Sequence, residues 1–204
     1  LHFEKIDICK LNLNNKLFKG VDYVFHFAGI GDVVPSIKNP KKYMKTNIQG
    51  TLNVLEASRY AKVKKFVYAA SASCYGITQN QRTNEDYRIS IEHPYALSKY
   101  LGEKASFNWR KVYGLPVNSI RIFNAYGPRA RTSGPYNAVI GIFLKQKIKN
   151  KPLTIVGDGK QSRDFIHVTD VTRAFLDAAK TTFVDRVYNV GTGKSQTVNY
   201  LSNL

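Results

Sequence analysis

Three side chains of the 204-residue sequence are suited to moving a proton at a substrate oxygen. Ser71 follows the apolar run at residues 66–70, and Tyr95 and Lys99 are one helical turn apart near the start of a long helical pattern. A hydroxyl at the end of a strand that faces a tyrosine and a lysine on a helix is a plausible proton-transfer site. Because a nearby ammonium favours the phenolate, we expect Lys99 to lower the pKa of Tyr95.

The Tyr-x-x-x-Lys pattern alone is weak evidence, because the chain contains thirteen tyrosines. The pattern occurs three times, at Tyr60/Lys64, Tyr95/Lys99 and Tyr100/Lys104. Only Tyr95 stands in the first turn of its predicted helix, and Tyr100 is about 140° further round that helix. We therefore favour Tyr95, with Lys99, as the pair that has a chemical role. The simpler interpretation of Ser71, a cap at the end of a strand, stays open.

Strands and helices alternate around these residues. Short apolar strands are predicted at residues 1–8, 21–27, 66–70, 117–123 and 187–190, and long helices at 41–60, 94–113 and 169–180. This alternation predicts an α/β fold with a doubly wound parallel sheet and helices on both faces. Residues suited to ligand contact follow four strands: Asp7, Ala28 and Gly29, Ser71, and Asn124. In a doubly wound sheet such positions line one crevice.

The pattern changes after residue 128. A loop leads to an amphipathic helix predicted at residues 138–149, a short strand at 153–156 and a glycine-rich turn at 157–159. We therefore predict a sheet domain at residues 1–128 and 164–193. Residues 129–163 and 194–204 are expected to form a smaller lobe over the C-terminal edge of the sheet, where ligands of such sheets bind.

Composition narrows the functional class. The formal net charge is +17, but the lysines are scattered and no basic-aromatic RNA-binding signature is present, so a solvated lysine-rich surface is favoured over nucleic-acid binding. Cys9 and Cys74 are the only cysteines, which is typical of a reducing compartment, and we expect a cytoplasmic protein. No apolar run has the length of a membrane span. Four widely spaced histidines predict no metal site.

Seven segments, in order, resemble extended short-chain dehydrogenase/reductases that act on nucleotide sugars. They are VDYVFHFAG, TNIQGTLNVLEA, FVYAASASCYG, PYALSKYLGE, RIFNAYGPR, GDGKQSRDFIHVTDV and YNVGTG. The chain is most similar to NAD-dependent UDP-sugar 4-epimerases of the NAD-dependent epimerase/dehydratase family. The resemblance implies a partial NAD-binding Rossmann domain at residues 1–128 and 164–193, and a lobe for a nucleotide-diphosphate sugar, most plausibly UDP-linked, in the remainder.

The resemblance also implies a role for each matching residue. The catalytic residues would be Ser71, Tyr95 and Lys99. The NAD contacts would be Asp7, Ile8, Phe27, Ala28, Gly29, Asn47, Ala69, Tyr95, Lys99 and Phe123. The substrate contacts would be Ser71, Asn124, Val139, Thr154 and Arg163. For Arg163, an ion pair with the neighbouring Asp164 is the alternative. No metal is implied, and a homodimer through the helices at 41–60 and 94–113 is expected.

The chain departs from the family pattern at both ends. It begins at Leu1, where we expect no signal peptide, and the glycine-rich loop and the acidic residue that selects NAD in the family are not found in this sequence. We therefore expect a piece of a longer protein that lacks the first two strands, roughly sixty residues, and the family's later substrate-binding residues. Such a piece is expected to bind NAD poorly.

The two residues after Ser71 help to distinguish between the reactions that members of the family catalyse. The family's dehydratases and decarboxylases carry carboxylates there, whereas this chain has Ala72 and Ser73. Epimerisation at C4 through a transient 4-keto sugar needs only one base and a hydride acceptor, and is favoured. A 4-keto-sugar reductase is the alternative, and a non-catalytic nucleic-acid-binding protein is the alternative from another class. Gly31 to Val33 and the YAASAS segment resemble epimerases that accept N-acetylated hexosamines.

Overall fold

The computed structural model describes residues 2–78, 82–130 and 139–204. Within these ranges the strands are β1 Tyr23–His26, β2 Lys65–Ser71, β3 Val117–Ile122, β4 Asn124–Tyr126, β5 Ser162–His167, β6 Arg186–Val190 and β7 Ser195–Thr197. The α-helices are α1 Val33–Lys38, α2 Pro40–Met44, α3 Gly50–Tyr60, α4 Pro94–Tyr113, α5 Val139–Ile148, α6 Val168–Lys180 and α7 Val198–Ser202. A π-helical segment, Lys45–Gln49, joins α2 to α3, and a 3₁₀ turn, Ala72–Tyr75, follows β2.

The strands form two sheets. The larger has the order β1-β2-β3-β6 and is parallel throughout. The smaller has the order β4-β5-β7, in which β4 and β5 are parallel and β5 and β7 antiparallel. This confirms the predicted α/β fold with a parallel sheet. The predicted division into a sheet domain and a substrate lobe stays a prediction.

Strand β2 is the centre of the core. Its residues 65–70 are all buried, and the side chains of residues 66–70 alternate between two apolar clusters. Val67 and Ala69 pack with Phe175 of α6 on one face, while Phe66 and Tyr68 pack in the cluster of α3 and α4 on the other. Burial on both faces explains why this strand is a continuous apolar run. It also fixes the position of Ser71, its last residue.

Helix α4 begins and ends where the sequence predicts. Pro94 occupies its first turn, and the ring Nδ1 of His93 accepts a hydrogen bond from the backbone N–H of Ala96 at 3.1 Å. At the other end Gly114 adopts φ 75°, a left-handed conformation in which glycine has no steric cost. These local signals place Tyr95 in the first turn of the helix.

Two predicted strands are absent from the described structure. Residues 2–7 are irregular and largely exposed, and Asp7 caps a 3₁₀ turn, Ile8–Lys10, by accepting from Cys9 N–H at 2.9 Å. Residues 153–156 are also irregular, because the backbone N–H of Thr154 donates to the side chain of Gln146 rather than to a strand. Neither segment pairs with a described strand, so the prediction of strands is wrong at residues 2–8 and 153–156, while Leu1 of the first prediction lies outside the described residues.

His26 is a buried titratable group in the core beside α3. It is 3% exposed, its ring lies 5.7 Å from that of Phe66 and 5.8 Å from that of Tyr68, and its Nε2 is 2.9 Å from Thr51 Oγ1. Burial lowers the pKa of His26 from 6.5 to about 3, and the charge of Lys99 acts in the same direction. The imidazole is therefore neutral in the folded protein at ordinary pH.

The buried His26 is expected to reduce stability in acid. The unfolded chain takes up a proton on this ring below pH 6.5 whereas the folded protein does not until about pH 3, so stability falls as the pH drops through that window. Between pH 6 and pH 5 this group alone is expected to remove about 1 kcal/mol from the free energy of unfolding. Urea unfolding of the protein and of His26→Gln at both pH values measures it. An equal pH dependence in the two proteins would contradict the assignment.

Candidate active site

The C-terminal ends of β1, β2 and β3 and the start of α4 enclose a cavity of about 250 Å³. Its lining residues are Phe27, Gly29, Ile30, Gly31, Ala69, Ala70, Ser71, Tyr95, Lys99, Ile122 and Phe123. The structure therefore brings the three proposed catalytic residues together with four proposed NAD contacts: Phe27, Gly29, Ala69 and Phe123. A larger cavity of about 680 Å³ lies among residues 2–17 and contains none of the candidate residues.

Ser71 is the last residue of β2, and its side chain interacts with the 3₁₀ turn that follows and with Tyr95 of α4. Its Oγ accepts from Ser73 N–H at 3.2 Å and lies 2.8 Å from Ser73 Oγ, so it caps the 3₁₀ turn as the simpler interpretation suggested. A hydrogen bond with the Tyr95 side chain also acts on the pKa of that phenol. The cap and the contact with Tyr95 are thus compatible, and the cap fixes the hydroxyl beside the phenol.

Tyr95 is held in place by its neighbours. Its backbone N–H donates to Ser36 Oγ at 3.1 Å, its ring is stacked on His93 with centroids 6.0 Å apart, and Tyr43 meets it edge-on at 6.4 Å. Burial raises the pKa of Tyr95, a contribution that the hydrogen bond with Ser71 opposes and the charge of Asp32 reinforces. The net shift of this pKa is therefore upward and not downward as predicted, because desolvation of the phenolate outweighs the hydrogen bond with Ser71.

Lys99 presents a buried cation to the cavity. The residue is 8% exposed, and its Nζ lies 4.6 Å from the centroid of the Tyr68 ring. Burial lowers the pKa of Lys99 to about 8, and the carboxylate of Glu103 acts in the opposite direction. Among the described residues no hydrogen-bond acceptor contacts this ammonium. A cation in such a position is suited to bind hydroxyl or phosphate oxygens of a ligand.

The strand end that borders the cavity is fixed by Asn47. This side chain is 1% exposed in the π-helical segment. Its Oδ1 accepts from Ile30 N–H at 2.8 Å, and its Nδ2 donates to Ile30 O at 3.0 Å and to Ser98 Oγ at 2.8 Å. A Cβ on Gly29 would lie 3.0 Å from Asn47 Oδ1 and 3.9 Å from Lys99 Nζ. Gly29 thus lets the backbone approach the site closely.

Eight of the proposed ligand contacts lie outside the cavity lining: Asp7, Ile8, Ala28, Asn47, Asn124, Val139, Thr154 and Arg163. Of these, Asn47 holds the loop after β1 through its hydrogen bonds with Ile30. Asn124 is exposed, and its Nδ2 donates to Asp164 O at 3.0 Å. Arg163 is exposed and donates to Ser162 O at 2.8 Å. The ligand roles given to these residues stay predictions.

The alternative pairing of Arg163 with Asp164 is not seen among the described residues. Asp164 instead accepts hydrogen bonds from Thr192 N–H at 2.8 Å, Thr192 Oγ1 at 2.7 Å and Gly193 N–H at 2.7 Å. The turn that it holds also contains Gly191, whose Cβ position would be 3.2 Å from the ring of Phe123. Asp164 therefore supports the wall of the cavity.

Sequence reasoning missed four lining residues: Ile30, Gly31, Ala70 and Ile122. Ala70 and Ile122 are at the ends of β2 and β3, so the strand-end argument could have found them. In the part of the chain that the structure describes, no three acidic, histidine or cysteine side chains are grouped to hold a metal ion. No described helix combines the length and apolar character needed to cross a bilayer.

Comparison with known proteins places the chain in a family. Residues 1–191 match the family described as NAD dependent epimerase/dehydratase. A putative UDP-glucose 4-epimerase of Methanocaldococcus jannaschii is 36% identical over 204 residues, which are 99% of this chain and 66% of that protein.

Solved structures give the same result. A UDP-N-acetylglucosamine 4-epimerase from Methanobrevibacter ruminantium M1 superposes with a TM-score of 0.94 at 34% identity, over 98% of this chain and 64% of that one. A UDP-glucuronic acid 4-epimerase from Bacillus cereus, in complex with UDP-glucuronic acid and NAD, superposes with a TM-score of 0.89 at 32% identity, over 98% and 63%. The chain thus spans less than two thirds of the length of each of these proteins. On the extent of these matches, the chain belongs to the NAD dependent epimerase/dehydratase family.

Proposed function

We propose that the protein epimerises a UDP-linked sugar at C4 through a transient 4-keto sugar, with NAD tightly bound. The observation that carries this proposal is the convergence of Ser71, Tyr95 and Lys99 on one cavity. Membership of the family supports it, as do the relatives named for 4-epimerase activity.

The residues around the cavity fit a dinucleotide. Gly29 allows the β1 end to pass close to a ligand, and the buried ammonium of Lys99 is available to ribose hydroxyls. Phe27 and Phe123 provide apolar surface on which a nicotinamide ring could pack. When bound, NAD would supply the hydride acceptor, the hydride donor and a cationic ring.

The chain's own residues would handle the proton. Tyr95 as phenolate accepts the proton of the sugar 4-hydroxyl, and Ser71 hydrogen-bonds the same oxygen. After the 4-keto sugar has presented its other face, hydride would return to C4, and Tyr95 returns the proton to the carbonyl oxygen, which becomes the 4-hydroxyl again. Since burial raises the pKa of Tyr95, formation of the phenolate needs positive charge in the cavity, and Lys99 lies in its lining.

The turn after Ser71 supports epimerisation over dehydration. Ala72 has no functional group, and Ser73 Oγ is engaged with Ser71 Oγ at 2.8 Å. Neither residue offers the carboxylate that removal of a second proton and loss of a hydroxyl would need.

The test is an assay of the protein expressed from its complete reading frame. UDP-glucose, UDP-N-acetylglucosamine and UDP-glucuronic acid are each incubated with it, and the 4-epimers are separated by chromatography. We expect at least one pair to reach equilibrium with no net reduction of NAD. Consumption of one NADPH per sugar would favour the reductase instead. No turnover, together with steeply salt-dependent binding of RNA or DNA, would favour the nucleic-acid-binding alternative.

A further inference from the structure

A buried ion pair lies between helix α4 and strand β3. Glu103 is 1% exposed and Arg121 is 4% exposed. Arg121 donates from Nη2 to Glu103 Oε1 at 2.7 Å and from Nε to Oε2 at 3.1 Å, and Ser119 Oγ donates to Oε2 at 2.9 Å. Burying two charges is costly unless their hydrogen bonds are satisfied in this way. Because burying the pair is costly, its position in the fold calls for an explanation.

Hydrogen bonds connect the ion pair to the 3₁₀ turn that follows Ser71. Arg121 Nη1 donates to Tyr75 Oη at 2.7 Å, and Tyr75 Oη donates to Asn189 Oδ1 at 2.8 Å. Tyr75 is the last residue of the turn that Ser71 caps, and it is 1% exposed. Arg121 therefore joins this turn to β3 and, through Asn189, to β6.

The pair also reaches Lys99. Glu103 follows Lys99 by four residues on α4, so the two side chains lie on the same face of the helix. We propose that Glu103 is a positioning residue of the active site, which keeps Lys99 charged and, through Arg121 and Tyr75, fixes the Ser71 turn against α4. The catalytic meaning of this arrangement rests on the proposed function.

The electrostatic surroundings of Lys99 support this role. Tyr68 of β2 and the neutral His26 of β1 face the ammonium, and Tyr95 lies one turn before it on α4. Glu103 is the carboxylate whose charge raises the pKa of Lys99 against the effect of burial. Around Glu103 itself lie Arg121, with which it pairs, and the thiol of Cys74 and the phenol of Tyr68; burial raises the pKa of both groups, and the charge of Glu103 acts in the same direction.

The experiment follows the titration of Lys99 directly. Protein labelled with ¹³C at lysine Cε is titrated by NMR, and the Lys99 signal is assigned by its loss in Lys99→Arg. The parent midpoint is expected near 8. In Glu103→Gln it is expected to fall by about one pH unit, because the opposite charge is removed. The matched control is Glu56→Gln, which removes a carboxylate that binds Arg59 and Trp109 away from the cavity.

An unchanged Lys99 midpoint in Glu103→Gln, or an equal fall in Glu56→Gln, would overturn the inference. If Glu103→Gln does not fold because Arg121 is left without its partner, Glu103→Gln/Arg121→Gln is compared with Arg121→Gln, so that the two proteins differ only in the Glu103 charge; the midpoint is expected to be lower in the double variant, and equal midpoints would overturn the inference. The titration uses no substrate, so it is independent of whether epimerase activity is found. In the active protein, Glu103→Gln is also expected to lose activity at a lower pH than the parent on the alkaline side.

Discussion

Replacement of Tyr95 by phenylalanine is expected to lower kcat for the proposed C4 epimerisation by about 10³-fold, the scale of a lost general acid–base group. The ring keeps its contacts with His93 and Tyr43, so only the hydroxyl that is proposed to move the proton is removed. KM is expected to change little. The measurement is the initial rate at saturating UDP-sugar, with thermal unfolding as the check that the variant is folded.

The chain provides a matched control for this experiment. Tyr100 and Lys104 repeat the same sequence pattern on the same helix, with Lys104 Nζ 5.0 Å from the centroid of the Tyr100 ring, but neither residue lines the cavity. Tyr100→Phe is therefore expected to keep the parent kcat. Comparable losses in both variants, or full activity in Tyr95→Phe, would rule out Tyr95 as the base.

The parts of the fold that follow from local signals could be predicted from sequence. Strand β2 is apolar on both faces because both faces are buried, and α4 has its own start and stop residues in Pro94 and Gly114. The smaller sheet was missed because β5 is a strand only through pairing with β4 and β7, which lie about 40 residues before and 30 residues after it. The false strand at 153–156 has the reverse explanation: its composition fits a strand, but no partner strand is beside it.

The candidate site shows the same limit. Ser71, Tyr95 and Lys99 could be placed at one sheet edge from strand ends and helical spacing, although their chemical roles stay predictions. The direction of the Tyr95 pKa shift could not be predicted from the sequence, since it depends on how completely the phenol is desolvated. The partners of Asn47 and Glu103 likewise depend on side chains that are distant in sequence and meet only after the chain has folded.

Substitution of Gly102 by alanine is expected to destabilise the protein by about 3 kcal/mol, the upper end of the usual cost of overpacking a core. Alanine inside a helix normally stabilises by about 0.5–1 kcal/mol relative to glycine, so a decrease in the free energy of unfolding would itself indicate a steric collision. Here a Cβ would collide with the hydroxyl of Tyr68, lie 2.8 Å from its Cζ and lie 3.3 Å from Asn47 O. Tyr68 is fully buried and cannot move aside. Urea unfolding measures the change.

A double-mutant cycle separates the collision from other causes. Tyr68→Phe removes the hydroxyl and its hydrogen bond to Lys99 O, at a cost of about 1 kcal/mol. The double variant Tyr68→Phe/Gly102→Ala is expected to be destabilised by less than the sum of the two single variants, the difference being about 1 kcal/mol or more. Gly50→Ala is the control, because the three atoms nearest to its Cβ belong to the side chain of Ile8, which is only partly buried, and its cost is expected to be smaller. Additive changes would show that Tyr68 is not what requires glycine at position 102.

The same contact connects packing with the site. Tyr68 lies under the ammonium of Lys99, so a helix α4 displaced from β2 would carry Lys99 away from the cavity that it lines. We therefore expect Gly102→Ala to lose activity at temperatures at which it is still folded, and Tyr68→Phe to restore part of that loss. Recovery of stability without recovery of activity would show that the distance between α4 and β2 does not govern the position of Lys99.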